Sequence, residues 1–188
     1  MDTTTPHGLS SDEPSAWVRR FAPLIPDGGK VLDLACGKGR HARFLAGLGH
    51  AVEAVDRDGE RLSGLAGIDG ITVRQADLEG GPWPYYGHAF DGIVVTNYLH
   101  RPLMPSLLGA LAEGGVLIYE TFMVGNELIG KPTDPAYLLR VGELLELVMR
   151  KHFTVVAFEQ GEVENPRPAA IQRICARRGS RFILPVSA

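Results

Sequence analysis

Residues 31–42 read Val-Leu-Asp-Leu-Ala-Cys-Gly-Lys-Gly-Arg-His-Ala, and this stretch decides the fold. The apolar run carrying Asp33 predicts a buried strand, Gly37 and Gly39 predict a tight turn, and a helix is expected over 40–48. Without a Cβ, both glycines can take positive φ and lie against a ligand. The helix that follows points its free N–H groups and the positive end of its dipole at the same place.

Toward the N-terminus, residues 1–14 are polar, rich in Thr, Ser and Pro, and read as a mobile tail. Residues 15–25 set Trp17, Phe21 and Leu24 at helical spacing, which predicts a short capping helix. Pro26-Asp27-Gly28-Gly29 is a turn. Toward the C-terminus, strands are expected over 30–35, 51–56, 71–75, 92–96 and 116–121, with helices over 40–48, 59–66 and 105–112. Such alternation implies a doubly wound α/β fold with a parallel sheet and right-handed crossovers. An amphipathic helix is expected over 141–152, with Leu144, Leu145, Leu147 and Val148 on or near one face. Two last strand-like runs, 153–159 and 171–177, flank a polar, proline-bearing segment and read as an antiparallel pair at one edge.

Composition narrows the class. A chain of 188 residues with 45% hydrophobic content suits one such domain, expected over 15–188. A formal charge of −3 leaves no basic footprint for nucleic acid or an anionic membrane. Cys36 and Cys175 have no metal-ligand spacing and suggest no disulfide framework. No apolar run approaches the ~20 residues of a membrane span, and no signal-peptide pattern opens the chain, so a cytoplasmic protein is expected. His7, His41, His50, His88 and His152 read as surface or packing residues, and their separations suggest no metal site.

The ligand is narrowed by acids at the ends of successive strands. Gly37-x-Gly39-x-x-Ala42 has the spacing of a dinucleotide-binding turn, which alone is weak. Asp33, four residues before Gly37, suits a cationic amine and would repel a pyrophosphate. Asp56 closes the second strand where an acid meets ribose hydroxyls. Asp77, just past the third strand, is placed to accept a hydrogen bond from an adenine amino group. Together these acids suit a cationic nucleoside.

At Asp33-Leu34-Ala35-Cys36-Gly37-Lys38-Gly39 the chain resembles the class I S-adenosylmethionine-dependent methyltransferases, whose first strand ends D-L-G-C-G-x-G. Ala35 departs from that pattern, replacing its first glycine and leaving less room. The match extends through Phe90-Asp91-Gly92-Ile93-Val94-Val95 and Gly114-Gly115-Val116-Leu117-Ile118, roughly residues 31–121. The resemblance implies a seven-stranded sheet, mostly parallel, whose last strand is antiparallel. It implies S-adenosyl-L-methionine as cofactor and S-adenosyl-L-homocysteine as product. Asp33, Ala35, Cys36, Gly37 and Gly39 would line the methionine part, Asp56 the ribose, and Asp77 with Leu78 the adenine. Arg57 and Asn97 join this cofactor set. Read on its residues alone, Cys36 is a small packing residue.

In such a sheet the acceptor side lies beyond the strand C-termini. Asn97-Tyr98 follows the fourth strand without the prolines that accompany methylation of nucleobase amino groups in this family, which argues against that chemistry. His100-Arg101, Tyr119-Glu120-Thr121-Phe122 and Arg167 resemble the small bacterial tellurite-resistance-like methyltransferases, which implies a small acceptor. Residues 123–135 and 165–169 are expected to close over it.

Tyr98, His100 and Arg101 are the expected catalytic residues. Histidine titrates near ~6.5 in isolation, so His100 suits proton transfer around neutral pH; the alternative is a loop histidine bonded to backbone. Tyr98 either orients the acceptor or packs on the cofactor. Arg101 and Arg167 suit an anionic acceptor, or Arg101 pairs with Glu120 to join two loops. Two other classes share these residues: an NAD(P)-dependent oxidoreductase, which Asp33 and the lack of a Tyr-x-x-x-Lys pair weigh against, and a cofactor-binding scaffold without catalysis.

Overall fold

The computed structural model describes residues 13–179. Five strands run parallel: β1 (Lys30–Leu34), β2 (Ala51–Asp56), β3 (Ile71–Gln75), β4 (Phe90–Thr96) and β5 (Leu111–Phe122). β6 (Phe153–Val163) and β7 (Ala169–Arg178) form a hairpin, and β7 inserts antiparallel between β5 and β6. The sheet has seven strands in the order β3-β2-β1-β4-β5-β7-β6. The expected doubly wound sheet with an antiparallel last strand is the one formed.

Helices cover both faces. α1 (Ala16–Phe21), α2 (Arg40–Gly47) and α3 (Gly59–Ser63) cover one face, where Val18, Leu45, Leu62 and Leu65 bury against Val31, Ala54, Val94 and Ile118. α4 (Met104–Gly109) and α5 (Glu143–Met149) cover the other, packing Leu107, Leu144 and Val148 on Leu32, Ile93, Val95 and Leu117. Polar caps start α1 and α3. Ser15 Oγ accepts the N–H groups of Trp17 and Val18, and Asp58 Oδ1 accepts those of Glu60 and Arg61.

Several boundaries differ from expectation. The helix expected over 15–25 is α1 followed by a 3-10 turn at Ala22–Leu24, because Pro23 has no N–H to extend the ladder. The helix expected over 105–112 stops at Gly109, and β5 begins at Leu111. Leu111 pairs with Phe90, yet Val116 pairs with Gly92, so β5 carries a bulge that Gly114 accommodates at φ 77°. α3 ends at Ser63 rather than 66, and α5 is trimmed to Glu143–Met149 between Gly142 at φ 71° and His152 at φ 59°. The final hairpin is longer than expected, pairing from Val163–Ala169 to Phe153–Arg178. Of the tail expected over 1–14, residues 1–12 lie outside the described residues.

Candidate functional site

The turn after β1 is built by conformation before chemistry. Ala35 stands at φ 55°, Gly37 at φ 57° and Gly39 at φ 76°, three left-handed residues in five. At Gly39 a Cβ would collide with the Leu65 side chain, so α2 can seat against α3's trailing loop only with glycine there. At Gly37 a Cβ would meet nothing within 4 Å, so the backbone faces open space. The Cys36 N–H donates to Val55 O at 3.0 Å, tying the turn to β2.

Asp56, buried at the end of β2, holds that turn open. Its Oδ2 accepts the Gly37 N–H at 2.8 Å and its Oδ1 accepts the Asp58 N–H at 3.0 Å. Asp77 lines the same cleft as Asp56, its Oδ1 accepting the Glu79 N–H at 3.0 Å. The N–H groups of Glu79 and Gly80, then Arg57 and His100, hold its carboxyl below the usual range. The cleft between them is lined by Ala35, Asp56, Arg57, Arg61, Ala76, Asp77, Leu78, Glu79, Asn97 and Tyr98. Asn97, at φ 54°, turns the chain out of β4, and Asn tolerates this region better than most residues.

Asp33 lies beneath this turn, 1% exposed, and its Oδ2 is enclosed without a hydrogen-bond partner. Burial raises its pKa to about 7, against the opposing effects of the Ala42 N–H and Arg40. An orphaned carboxyl oxygen below an open glycine turn fits an ammonium group. Cys36 contributes backbone alone: its side chain is buried with Ala42 and Leu45, and burial, then Asp33 and Asp56, push the thiol far above its ordinary range.

Of the expected catalytic residues only Tyr98 lines the cleft; His100 starts the 3-10 turn Arg101–Leu103, half-buried, with its carbonyl accepting the Leu103 N–H, and is near enough to Asp77 to act on its charge. Arg101 does not pair with Glu120. Its Nε and a terminal nitrogen grip Glu143 at 2.7 and 2.9 Å, and it also donates to Ala136 O and Leu138 O at 2.9 and 2.8 Å. The guanidinium thus ties the loop after β4 to the insertion after β5. Arg167 lies over the Phe122 ring, 5.8 Å from its centroid.

Glu120 belongs to a polar row crossing four strands, in which Thr96, Glu120, Arg173 and Glu159 pair in register. Glu120 accepts from Ser15 Oγ at 2.7 Å and pairs with Arg173 at 3.2 Å. His41, read as a surface or packing residue, is buried in this group. Its Nε2 accepts the Ser15 N–H at 3.2 Å, so Nδ1 carries the proton toward Thr96 Oγ1 at 3.4 Å. Burial, then Arg40, lower its pKa to about 3. Of the cleft residues, Arg61, Ala76 and Glu79 went unassigned from sequence, although Ala76 and Glu79 flank the Asp77-Leu78 pair.

Residues 10–179 match the family described as "Methyltransferase domain". The chain belongs to this family. Among solved structures it is similar in fold to TehB from Haemophilus influenzae, with a TM-score of 0.72 and 21% identity, covering 88% of this chain and 63% of that one. It is similar also to the 1,6-didemethyltoxoflavin-N1-methyltransferase of Burkholderia thailandensis, solved with 1,6-didemethyltoxoflavin and S-adenosylhomocysteine bound. There the TM-score is 0.61 at 18% identity, over 88% of this chain and 79% of that one. Protein-L-isoaspartate O-methyltransferase of Chlorobaculum tepidum is 35% identical over 107 residues, 53% of this chain and 47% of that one. The chain spans about half the length of the curated relatives it matches. The family's cofactor is S-adenosylmethionine; Asp56 and Asp77 line the cleft, Gly37 beside Asp56 leaves backbone room, and Asp33, outside the lining, keeps an enclosed oxygen unpaired that would meet the cofactor's ammonium.

Proposed function

We propose that this protein transfers a methyl group from S-adenosylmethionine to a small molecule. The observation that carries the reading is the pairing of Asp33, with its enclosed free oxygen, with a turn that Asp56 holds open over it. When bound, the cofactor supplies a methyl group already activated by a positive sulfur. The protein's task is then positioning and exclusion of water. Asp33 takes the ammonium, Asp56 fixes the Gly37 backbone and presents its carboxylate to the ribose, and Leu78 walls the nucleobase. Arg57 and Asn97 line the same cleft.

On the acceptor side, His100 is the proton acceptor for an acceptor that must lose a proton. Arg101 is a positioning residue, since its donors hold Glu143 and residues 136 and 138. This supports an acceptor pocket framed by the loop after β4 and the insertion after β5. Arg167, over Phe122 at the edge of that insertion, admits an anionic acceptor. The formal charge of −3 disfavours nucleic acid as the substrate. No helix among the described residues is long and apolar enough to cross a membrane.

Calorimetric titration with S-adenosylmethionine, S-adenosylhomocysteine and NADPH tests the reading. Micromolar binding of the first two, with none of NADPH, is expected; binding of NADPH alone would overturn it. Product release of S-adenosylhomocysteine, followed with isoaspartyl peptides and with small thiols, amines and carboxylates, then separates acceptor classes.

A further inference from the structure

The sheet has two edges, and they are built differently. β3 is five residues long, and its exposed side chains include Arg74 and Gln75. A short, charged edge keeps other strands from pairing with it. The first half of β6 has neither device. The strand runs for eleven residues, and Phe153-Thr154-Val155-Val156-Ala157-Phe158 carries no charge and no proline. All six are only half-buried, and Met149, just ahead of them, is 62% exposed. Among the described residues the β6 backbone pairs with β7 and otherwise only with Gly179, in a single bridge at Phe153. A long apolar edge of this kind is a template for another strand.

The flanking charges say which strand. Arg150, Lys151 and His152 lead into β6, while Glu159, Glu162 and Glu164 lie along its far half and just beyond. A second β6 laid antiparallel sets the basic end of each strand against the acidic end of the other, and a two-fold axis repeats every contact. In-register parallel pairing would set like against like. Arg150 and Glu159 already pair within the chain, with Glu146 and Arg173, so Lys151 and Glu162 are the charges to match. With Lys151 opposite Glu162, Val155 stands opposite Phe158. These two share a sheet face, since they pair with Ala176 and Ile174, both in the core under α4 and α5. The register shift between Val155 and Ala157 then falls at the two-fold axis.

We infer that the outer edge of β6 is an interface between two copies of this chain, which join antiparallel into one sheet continuous across both. The inference is independent of the methyl-transfer reading.

Sedimentation velocity of the full chain over a micromolar concentration range tests it and should show a monomer–dimer equilibrium. Hydrogen exchange should slow at β6 amides, not at β3, as the dimer forms. Lys151→Glu and Glu162→Lys each turn two attractive contacts into two repulsive ones and should weaken the dimer about tenfold. Both side chains are exposed, so the variant monomers should unfold at the wild-type temperature. The double variant restores opposite charges across the axis and should return the dissociation constant to the wild-type value. A protein that stays monomeric overturns the inference. So does a dimer that neither single reversal weakens, one that the double variant fails to restore, or slowed exchange at β3 instead of β6.

Discussion

Gly37 donates its backbone N–H to Asp56 Oδ2 at 2.8 Å, while Asp56 Oδ1 takes the Asp58 N–H at 3.0 Å. The carboxylate expected to meet the ribose is therefore also the brace of the glycine turn. Asp56→Ala removes both functions. Calorimetry with S-adenosylhomocysteine should show affinity reduced by about 1–3 kcal/mol, the scale for hydrogen bonds to a charged group. Asp56→Asn, which keeps one oxygen acceptor, should lose less. Unchanged affinity in Asp56→Ala would remove this residue from the binding site.

Ala35 occupies a backbone conformation that favours glycine, at φ 55°. The left-handed region costs a residue with a Cβ roughly 1–2 kcal/mol, whereas glycine loses about 0.5–1 kcal/mol more in chain entropy on folding. Ala35→Gly should therefore stabilise the protein by about 0.5 kcal/mol, read as a higher urea midpoint with unchanged slope. Ala35→Val, branched at Cβ, should lower the midpoint. A drop on Ala35→Gly would mean that the Ala35 methyl contributes more packing than its backbone costs.

The parts legible in the sequence were those that one segment specifies by itself. Residues 31–42 carry their own strand, turn and helix start, and Asp56 and Asp77 each end a strand whose apolar pattern is local. The acceptor side depends on residues distant in sequence. Arg101 meets Glu143 and residues 136 and 138, and Ser15 meets His41 and Glu120, across separations of 26 to 105 residues. No periodicity encodes such pairings, so the alternative that Arg101 pairs with Glu120, and the choice between a surface and a packing role for His41, rested on residue type alone, and His41 is in fact buried. The β5 boundary failed differently: Leu111 and Ala112 read as helix, but the pairing of Leu111 with Phe90, ahead of the Gly114 bulge, decides for strand.

The Arg101–Glu143 pair makes a prediction about acid stability. Burial alone would raise the Glu143 pKa, but hydrogen bonds from Arg101 and the Arg140 N–H, with the charges of both arginines, lower it below the ordinary 4.5. A depressed folded pKa contributes stability above the unfolded value, lost as pH falls through the folded one. Arg101→Ala should cost about 1–3 kcal/mol near neutral pH, the scale for hydrogen bonds to a charged group, reduced because Arg101 is partly in water. Glu143→Gln should lose stability near neutral pH and flatten the profile below about pH 4.5. Chemical denaturation at stepped pH reads both; an Arg101→Ala protein as stable as wild type would show that the insertion does not depend on this anchor.

Asp33 carries the opposite sign. Its folded pKa of about 7 lies above the ordinary 3.8, because burial disfavours the charged form. Between these values the native state holds a proton that the unfolded chain has released. Its contribution is fully present below the unfolded pKa and is lost as pH rises through the folded one. Asp33→Asn, neutral at every pH, should remove that slope from the ligand-free protein. An ammonium group beside Asp33 would favour the carboxylate, so ligand binding at pH 6 should release about one proton from this residue. Calorimetry with S-adenosylhomocysteine at pH 6, repeated in buffers of different ionisation enthalpy, reads that proton as a change in apparent heat. The dependence should fade above pH 8 and be absent in Asp33→Asn; a wild-type heat independent of buffer at pH 6 would mean that the ligand's amine does not meet Asp33.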